Sequence, residues 1–323
     1  MAEMKYTQAV NAAITDAMRA DQSVILFGED VAEAGGSFKA TRGLLEAFGP
    51  ARVRDTPISE ASIVSMAVGA AMTGLKPIVE IMFMDFVTLA MDALVNQAAK
   101  AHFMFGGRAS VPMVLRTPHG GGLNAGPQHS QCLEAWIAHV PGLKVVCPSN
   151  PQDVYSLLRA AIEDPNPVVF IEHKGMYGIK GDVDTGQKAD IGCARIARPG
   201  KDVTLVTYGS TVHTATRAAQ SLAAEGIELE ILDLRSLQPW DEAAVLASVA
   251  RTHRLVIAHE AVESFGVGAE IAARMADVAF DELDAPILRV GAPFMPVPFA
   301  RSLEAQYSVS VERICAAIRK SIA

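Results

Sequence analysis

The sequence predicts an α/β protein built from two doubly wound domains, each with a mostly parallel β-sheet. Short apolar runs alternate with alanine-rich helical stretches along the chain, and one polar, glycine-containing segment interrupts this alternation near the middle. Nearly continuous apolar runs are typical of strands buried on both faces of a parallel sheet. We therefore expect a first domain at residues 1–188 and a second at residues 189–323.

The first half of the chain supplies the clearest alternation. Strands are predicted at residues 23–27, 77–83, 111–116, 143–147 and 168–172. Helices are predicted at residues 7–19, 60–73, 86–101, 133–139 and 153–163. Pro57 and Ser59 precede the second helix, as is typical of a helix N-terminus.

The polar segment at residues 175–192 has neither a helical nor a strand period, and we interpret it as a linker. The alternation then resumes. Strands are predicted at residues 203–208, 229–234, 255–258 and 287–290, and helices at residues 211–224, 241–250, 267–277 and 309–322.

Composition excludes several classes of function. The net charge of −8 argues against a nucleic-acid partner held by bulk electrostatics. No run of about 18 apolar residues is present, so we expect no membrane span. The N-terminus lacks a secretory pattern, and four scattered cysteines indicate reduced thiols, so the sequence predicts a cytoplasmic protein.

A carboxylate stands at the start of the second helix, in the segment DTPISE at residues 55–60. Two interpretations fit Glu60: an acid/base group at the carboxyl edge of a parallel sheet, or a helix-dipole partner in the first turn. The helix that follows is almost entirely apolar, which predicts that it is buried. A carboxylate at its start would then be partly desolvated.

Two further segments contain candidate groups. The glycine-rich stretch HGGGLNAGPQHSQ (residues 119–131) carries His129 just before a predicted helix, where it is either a proton shuttle or a structural histidine. The stretch AIEDPN (residues 161–166) ends a helix, where free carbonyls either bind a hard cation or form an ordinary turn.

Several stretches resemble one known family, in the same order along the chain. They are GEDV (28–31), RVRDTPISE (52–60), GLKPIVEI with FMDF (74–86), GG, PHGGG, HSQ, EAW and HVPGLKVV (106–146), and DLRSLQPWD (233–241). Together they are similar to the β subunit of the thiamin-dependent first component of 2-oxoacid dehydrogenase complexes. These complexes act on pyruvate, branched-chain 2-oxoacids or acetoin.

The resemblance implies a transketolase-like pyrimidine-binding domain, a transketolase-like C-terminal domain and an α2β2 tetramer with thiamin diphosphate between the α and β subunits. In that family the α subunit holds Mg²⁺ and the diphosphate through a GDG motif followed by an asparagine. This chain has no GDG, and its nearest string is KGDV at residues 180–183. The implied partners are the α subunit and a lipoyl-bearing acyltransferase core.

The resemblance also implies roles for individual residues. Glu60 matches the glutamate that bonds N1′ of the aminopyrimidine and shares a proton with it, which favours the reactive imino tautomer. Phe86 matches an aromatic packed on the pyrimidine, and Met82 lies in the same pocket where several relatives have glutamine. His129 matches the histidine of the HSQ motif that serves transfer to the lipoyl group. Positions that enclose potassium in some relatives, mainly through carbonyl oxygens, correspond to Met113, Ala161, Ile162, Asp164 and Asn166.

Two other functions stay open at this point. One is the C-terminal half of a split transketolase, and the other is a docking subunit that mainly holds the acyltransferase core. The stretch at residues 96–107 is closest to acetoin-dehydrogenase relatives, whereas Ser62 and Ser65 stand where many relatives have glycine.

Overall fold

A computed structural model describes residues 1–323, and their backbone divides into two compact units. The first unit comprises Met1–His119 and Trp136–Ile191, and the second comprises Gly120–Ala135 and Gly192–Ala323. The glycine-rich stretch before residue 136 is therefore grouped with the second unit. The domains predicted at residues 1–188 and 189–323 stay a prediction, because a unit of contacts need not be a unit of folding.

The first unit contains a parallel sheet and a small antiparallel ribbon. Its strands are β1 (Ala2–Lys5), β2 (Val24–Gly28), β3 (Val53–Asp55), β4 (Lys76–Glu80), β5 (Val114–His119), β6 (Lys144–Val146), β7 (Val168–His173) and β8 (Lys180–Val183). The parallel strands lie in the order β6-β7-β5-β4-β2-β3. Strands β5 and β7 are buried along their whole length, which explains their continuous apolar runs.

Helices accompany these strands in chain order. They are α1 (Tyr6–Ala20), α2 (Leu44–Phe48), α3 (Glu60–Met72), α4 (Ala99–Met104), α5 (Glu134–Ala138) and α6 (Pro151–Glu163). Helix α1 packs against α6, and both contribute to one hydrophobic core with β2 and β7. Asn150 caps α6 by accepting a hydrogen bond from the backbone N–H of Asp153, and Pro151 occupies the first turn.

Two predictions in this unit were wrong in detail. The proposed linker at residues 175–192 contains β8, which pairs antiparallel with β1. Its sequence, KGDV, has no apolar alternation, so the strand depends on backbone pairing with a distant segment. The helix predicted at residues 86–101 is instead a 3₁₀ segment (Met84–Ala90), a π-helical segment (Asp92–Ala98) and then α4. An apolar pattern this dense does not distinguish the three helical periods.

The second unit has its own sheet. The strands of the second unit are β9 (Arg195–Arg198), β10 (Val203–Thr207), β11 (Leu229–Asp233), β12 (Ser236–Gln238), β13 (Leu255–Val262) and β14 (Leu288–Ala292), and β12 is not part of this sheet. Five of them lie in the order β14-β13-β10-β11-β9, parallel except for β9, which runs antiparallel to β11. The helices are α7 (Thr211–Ala223), α8 (Glu242–Thr252), α9 (Val267–Val278), α10 (Arg301–Tyr307) and α11 (Val311–Ile322).

Both units are thus α/β structures with parallel or mostly parallel sheets, which confirms the predicted fold class. Helices α7 and α11 close the apolar core of the second sheet. Besides β8, the predicted strands and helices do not include β1, β3, β9, β12, α2 and α10, all of them short and without a strong apolar period. None of the helices combines the length and the apolarity that crossing a bilayer requires.

Candidate active site

Two acidic side chains lie at the carboxyl edge of the first sheet, at the point where the order of the strands reverses. The chain leaves β2 for β3 on one side and later returns to β4 on the other side of β2. In open α/β sheets, ligands bind beyond the strand ends at such a switch point. Glu29 directly follows β2, and Glu60 begins α3 shortly after β3.

The segment between β3 and α3 fixes the two glutamates relative to each other. Asp55, the last residue of β3, accepts a hydrogen bond of 2.7 Å from the backbone N–H of Ala32, in the loop that follows Glu29. The backbone N–H of Thr56 donates to the carbonyl oxygen of Gly28 over 3.0 Å. One connection therefore holds both the loop that carries Glu29 and the entry into the helix that carries Glu60.

Glu29 and Glu60 form a buried acidic pair. Their exposed fractions are 7% and 6%, and Oε1 of Glu29 has no hydrogen-bond partner. Burial, and then the negative charge of Glu60, raise the pKa of Glu29 above its ordinary value. A buried carboxylate oxygen without a partner is costly, so the pair favours a ligand that brings a proton donor.

Apolar side chains follow β4 at the same edge of the sheet. Met82 and Phe86 are both half-buried. The ring of Phe86 meets the ring of Phe83 edge to face, with centroids 6.0 Å apart. Phe83 therefore packs against the ring of Phe86.

A buried arginine network crosses the same sheet, and the sequence analysis did not identify it. Arg116 on β5 donates two hydrogen bonds to Glu172 on β7, of 2.6 and 2.8 Å, and one of 2.7 Å to Glu80 on β4. The hydroxyl of Tyr177 also donates to Glu172 over 2.8 Å. Burial opposes the charge of Arg116, but Glu172 and Glu80 outweigh it and raise the arginine's pKa. An arginine inside an otherwise apolar strand was the available signal.

The predicted histidine lies in the second unit. His129 is half-buried, and its backbone N–H donates to the carbonyl oxygen of Gly126 over 3.4 Å. Gly126 has a φ of +74° and lies against the ring of Phe299, so a side chain at this position would collide with that ring. The turn before His129 therefore requires glycine.

The predicted potassium ligands lie near the amino end of β7, at the opposite edge of the sheet from Glu60. Met113, Ala161 and Ile162 are buried, and the carbonyl oxygen of Met113 accepts the N–H of Val168 over 3.0 Å. The carboxylate of Asp164 pairs with the ammonium of Lys144.

Asp164 also accepts the backbone N–H of Asn166 over 2.9 Å. Its side chain is thus already used within the chain, and a potassium ion would have to rely on carbonyl oxygens. The potassium site stays a prediction.

The structure brings Glu29 and Glu60 together in the first unit, where Met82 and Phe86 also lie, whereas His129 belongs to the second unit. Glu29 was not singled out from the sequence except as part of GEDV. The signal for it was its place directly after a buried strand, which is where α/β folds concentrate ligand-binding groups.

Comparisons with known proteins give the following matches. The family model described as the transketolase pyrimidine-binding domain matches residues 2–180, and that of the transketolase C-terminal domain matches residues 192–314. The pyruvate dehydrogenase E1 component subunit beta-2, mitochondrial, of Oryza sativa subsp. japonica is 45% identical over 324 residues, covering 99% of this chain and 86% of that protein.

A second relative is the acetoin:2,6-dichlorophenolindophenol oxidoreductase subunit beta of Bacillus subtilis (strain 168). It is 48% identical over 321 residues, covering 95% of this chain and 94% of that protein. Since some relatives are named as mitochondrial and others come from bacteria, the cytoplasmic location stays a prediction.

A solved structure titled split gene transketolase, inactive beta4 tetramer, has a TM-score of 0.82 to this chain. It covers 99% of this chain and 98% of its own, at 22% identity, which shows a shared fold.

Proposed function

This chain belongs to the transketolase-like family that contains the β subunits of pyruvate and acetoin dehydrogenase first components, and on that premise we propose that it is such a subunit. With an α subunit in an α2β2 tetramer, it would cleave a 2-oxoacid or acetoin with the aid of thiamin diphosphate. The acyl group would then pass to a lipoyl domain of an acyltransferase core. The buried pair of Glu29 and Glu60 carries this proposal.

The residues at the carboxyl edge fit the aminopyrimidine of thiamin diphosphate. That ring has a flat apolar face and an edge with a protonatable nitrogen and an amino group. Phe86 and Met82 offer apolar surface for the face, and the unpartnered oxygen of Glu29 together with Glu60 offers acceptors for the edge. When bound, the cofactor supplies a carbanion and an electron sink at its thiazolium ring.

The chain's own groups would serve this chemistry by binding and by moving protons. Glu60 would hold a proton at N1′ of the pyrimidine, in a site from which its low exposure excludes bulk water. Glu29 adds negative charge beside Glu60, so the pair together favours a protonated ring nitrogen over an unprotonated one. His129 would exchange a proton with the lipoyl sulfur during acyl transfer.

The α subunit is needed because the chain lacks the motif that binds the Mg²⁺-diphosphate group. The nearest string, KGDV, forms strand β8, whose residues pair with β1. A strand paired in this way does not present the loop of backbone amides that cradles a phosphate. This supports a partner that supplies the diphosphate site.

A split transketolase half receives less support. The dehydrogenase β subunits are 43–48% identical to this chain over nearly its full length, whereas the split transketolase structure is 22% identical. Turnover of sugar phosphates without transfer to lipoyl domains would reverse this ranking.

The direct test replaces Glu60 in the co-expressed tetramer. Since general acid–base groups contribute about 100- to 10,000-fold, we expect Glu60→Gln to lower turnover at least about 100-fold. Turnover is followed by reduction of 2,6-dichlorophenolindophenol with acetoin, pyruvate and branched-chain 2-oxoacids in parallel, which also identifies the substrate. Glu46→Gln, an exposed glutamate in the first turn of α2, is the matched control. Near-normal turnover by Glu60→Gln would contradict its role.

A further inference from the structure

The carboxyl edge of the second sheet holds a loop of its own chain. We call residues 120–131, which carry His129, the HSQ loop. Strands β10 and β13 are parallel neighbours; Ser210 follows the carboxyl end of β10, and Glu260 lies within β13, close to its carboxyl end. In an open α/β sheet this edge is the usual place for a ligand. Here acidic side chains at and near the edge bind backbone N–H groups of the HSQ loop.

Glu260 makes the first of these attachments. One of its carboxylate oxygens accepts the backbone N–H of Gly121 over 2.6 Å, and the other accepts the hydroxyl of Ser210 over 2.6 Å. Hydrogen bonds to a carboxylate are about twice as strong as neutral ones. The beginning of the HSQ loop is thus fixed to the ends of two neighbouring strands.

Glu304, on α10, makes the second attachment. Its side chain is buried, with 4% of the residue exposed. It accepts the backbone N–H of Gly122 over 2.8 Å and, with its other oxygen, both the backbone N–H and the side-chain amide of Asn124 over 3.0 and 3.1 Å. Three donors from two loop residues therefore converge on one buried carboxylate.

These hydrogen bonds hold the loop in a conformation that it would otherwise populate weakly. Gly122 has a φ of +89° and Asn124 a φ of +56°, so both are in the left-handed region. This region is unfavourable for a residue with a side chain, and a glycine-rich loop has a high conformational entropy when it is not held. Asn124 precedes His129 by five positions, and the carbonyl oxygen of Gly126 between them accepts the backbone N–H of His129, so the attached segment leads directly into the turn that carries the histidine.

We propose that Glu304 is a positioning residue for acyl transfer, acting by fixing the backbone of the HSQ loop and so the location of His129. Glu260 assists at the start of the loop. The proposal rests on the function proposed above for His129. It predicts that Glu304 influences the step at the lipoyl group and leaves the preceding thiamin-dependent step largely intact.

The test uses the co-expressed tetramer with the variants Glu304→Ala, Glu304→Gln and His129→Ala and the Glu304→Ala/His129→Ala double variant. A catalytic group misplaced by about 1 Å loses about 100-fold in rate, so we expect Glu304→Ala to slow acylation of a lipoyl domain about 10- to 100-fold. Reduction of 2,6-dichlorophenolindophenol should stay within about twofold of the unmodified tetramer. Glu304→Gln keeps one acceptor oxygen but turns an NH2 donor towards the remaining loop N–H groups, so its transfer rate should lie between those of Glu304→Ala and the unmodified tetramer.

The double variant separates positioning from general damage to the fold. If Glu304 acts through His129, adding Glu304→Ala to His129→Ala should lower the transfer rate by less than about twofold further. Hydrogen–deuterium exchange of the peptide containing Gly122 and Asn124 should accelerate in Glu304→Ala, and Glu270→Ala, an exposed glutamate on α9, should change neither readout.

Three outcomes would overturn the proposal: unchanged transfer in Glu304→Ala, an equal loss of dye reduction and transfer, or full additivity with His129→Ala. Failure of the underlying function is recognised separately. In that case the unmodified tetramer reduces no dye, or His129→Ala transfers normally, whatever Glu304→Ala does.

Discussion

At the residue scale, glutamate side chains have different roles that depend on their burial and their hydrogen-bond partners. Glu172 is fully buried but binds Arg116 and Tyr177, so its charge is compensated. Glu304 is buried against amide donors and holds a loop. Glu29 is buried with one oxygen unpartnered, which is costly for folding and is explained if a ligand donates to it. Chain position does not distinguish these glutamates, but their surroundings do.

The first residue-scale prediction concerns the stability of Glu29. Because its pKa is raised in the folded chain, its ionisation disfavours the folded state, so stability is lost as the pH rises through that folded-state pKa. We expect Glu29→Gln to stabilise the chain at pH 8 by about 1 kcal/mol, and the difference should vanish near pH 4, where the unfolded carboxyl is protonated as well.

Thermal unfolding of the cofactor-free chain between pH 4 and pH 8 measures this effect. The exposed Glu46→Gln provides the baseline. A Glu29→Gln chain that unfolds at a lower temperature than the unmodified chain at pH 8 would show that Glu29 is compensated in a way that this structure does not contain.

At the element scale, motifs that identify the family also have packing roles. Gly142, in the HVPGLKVV stretch, lies in the turn between α5 and β6 with a φ of +102°. A Cβ atom there would penetrate the carbonyl oxygen of Ala99, the first residue of α4. The glycine is therefore required for the close approach of two backbone segments. This residue of the motif has a packing role at the entry to β6.

A pair of glycine substitutions tests this explanation. Gly142→Ala should destabilise the chain by about 2 to 3 kcal/mol, because both the backbone conformation and the space exclude a side chain. Gly69→Ala, in the interior of α3 with open space around it, should be neutral or stabilising by up to about 1 kcal/mol. Denaturant unfolding of the two variants measures the difference, and equal stabilities would contradict the packing role of Gly142.

At the scale of the whole molecule, the chain exposes apolar surface that suits a subunit better than an independent enzyme. Helix α3 is almost entirely apolar or small in sequence, yet it is buried on only one side; its exposed side carries Ser62 and Ser65 together with Met66 and Met72, which are 49% and 44% exposed. This corrects the expectation that α3 would be enclosed. A single chain has nothing to cover that side, and surfaces of this kind are typical of subunit contacts.

The corresponding prediction is that activity requires assembly. The purified chain alone should reduce no dye with thiamin diphosphate and Mg²⁺, because it lacks the diphosphate motif. Addition of an α subunit that carries GDG followed by an asparagine should produce both dye-reducing activity and a particle of α2β2 mass. Light scattering measures the mass, and dye reduction measures the activity. Thiamin-dependent turnover by the isolated chain would contradict the shared site.

The sequence by itself determined the α/β class, most strands and long helices, and the family. The fold class could be predicted because continuous apolar runs indicate strands buried on both faces of a parallel sheet, and these runs alternate with helical stretches. The family could be predicted because several motifs occur in the same order along the chain. Its failures were short or polar elements such as β8, whose pairing with β1 joins segments far apart in the chain.

Only the tertiary structure decided which charged groups meet. Three examples involve residues from different elements. Arg116 pairs with Glu80 and Glu172, Glu29 lies beside Glu60 with one oxygen unpartnered, and the HSQ loop is attached to Glu304. Local patterns record which residues are apolar, whereas the cost or benefit of a buried charge depends on what lies within a few ångströms of it. That neighbourhood exists only once the sheets have formed.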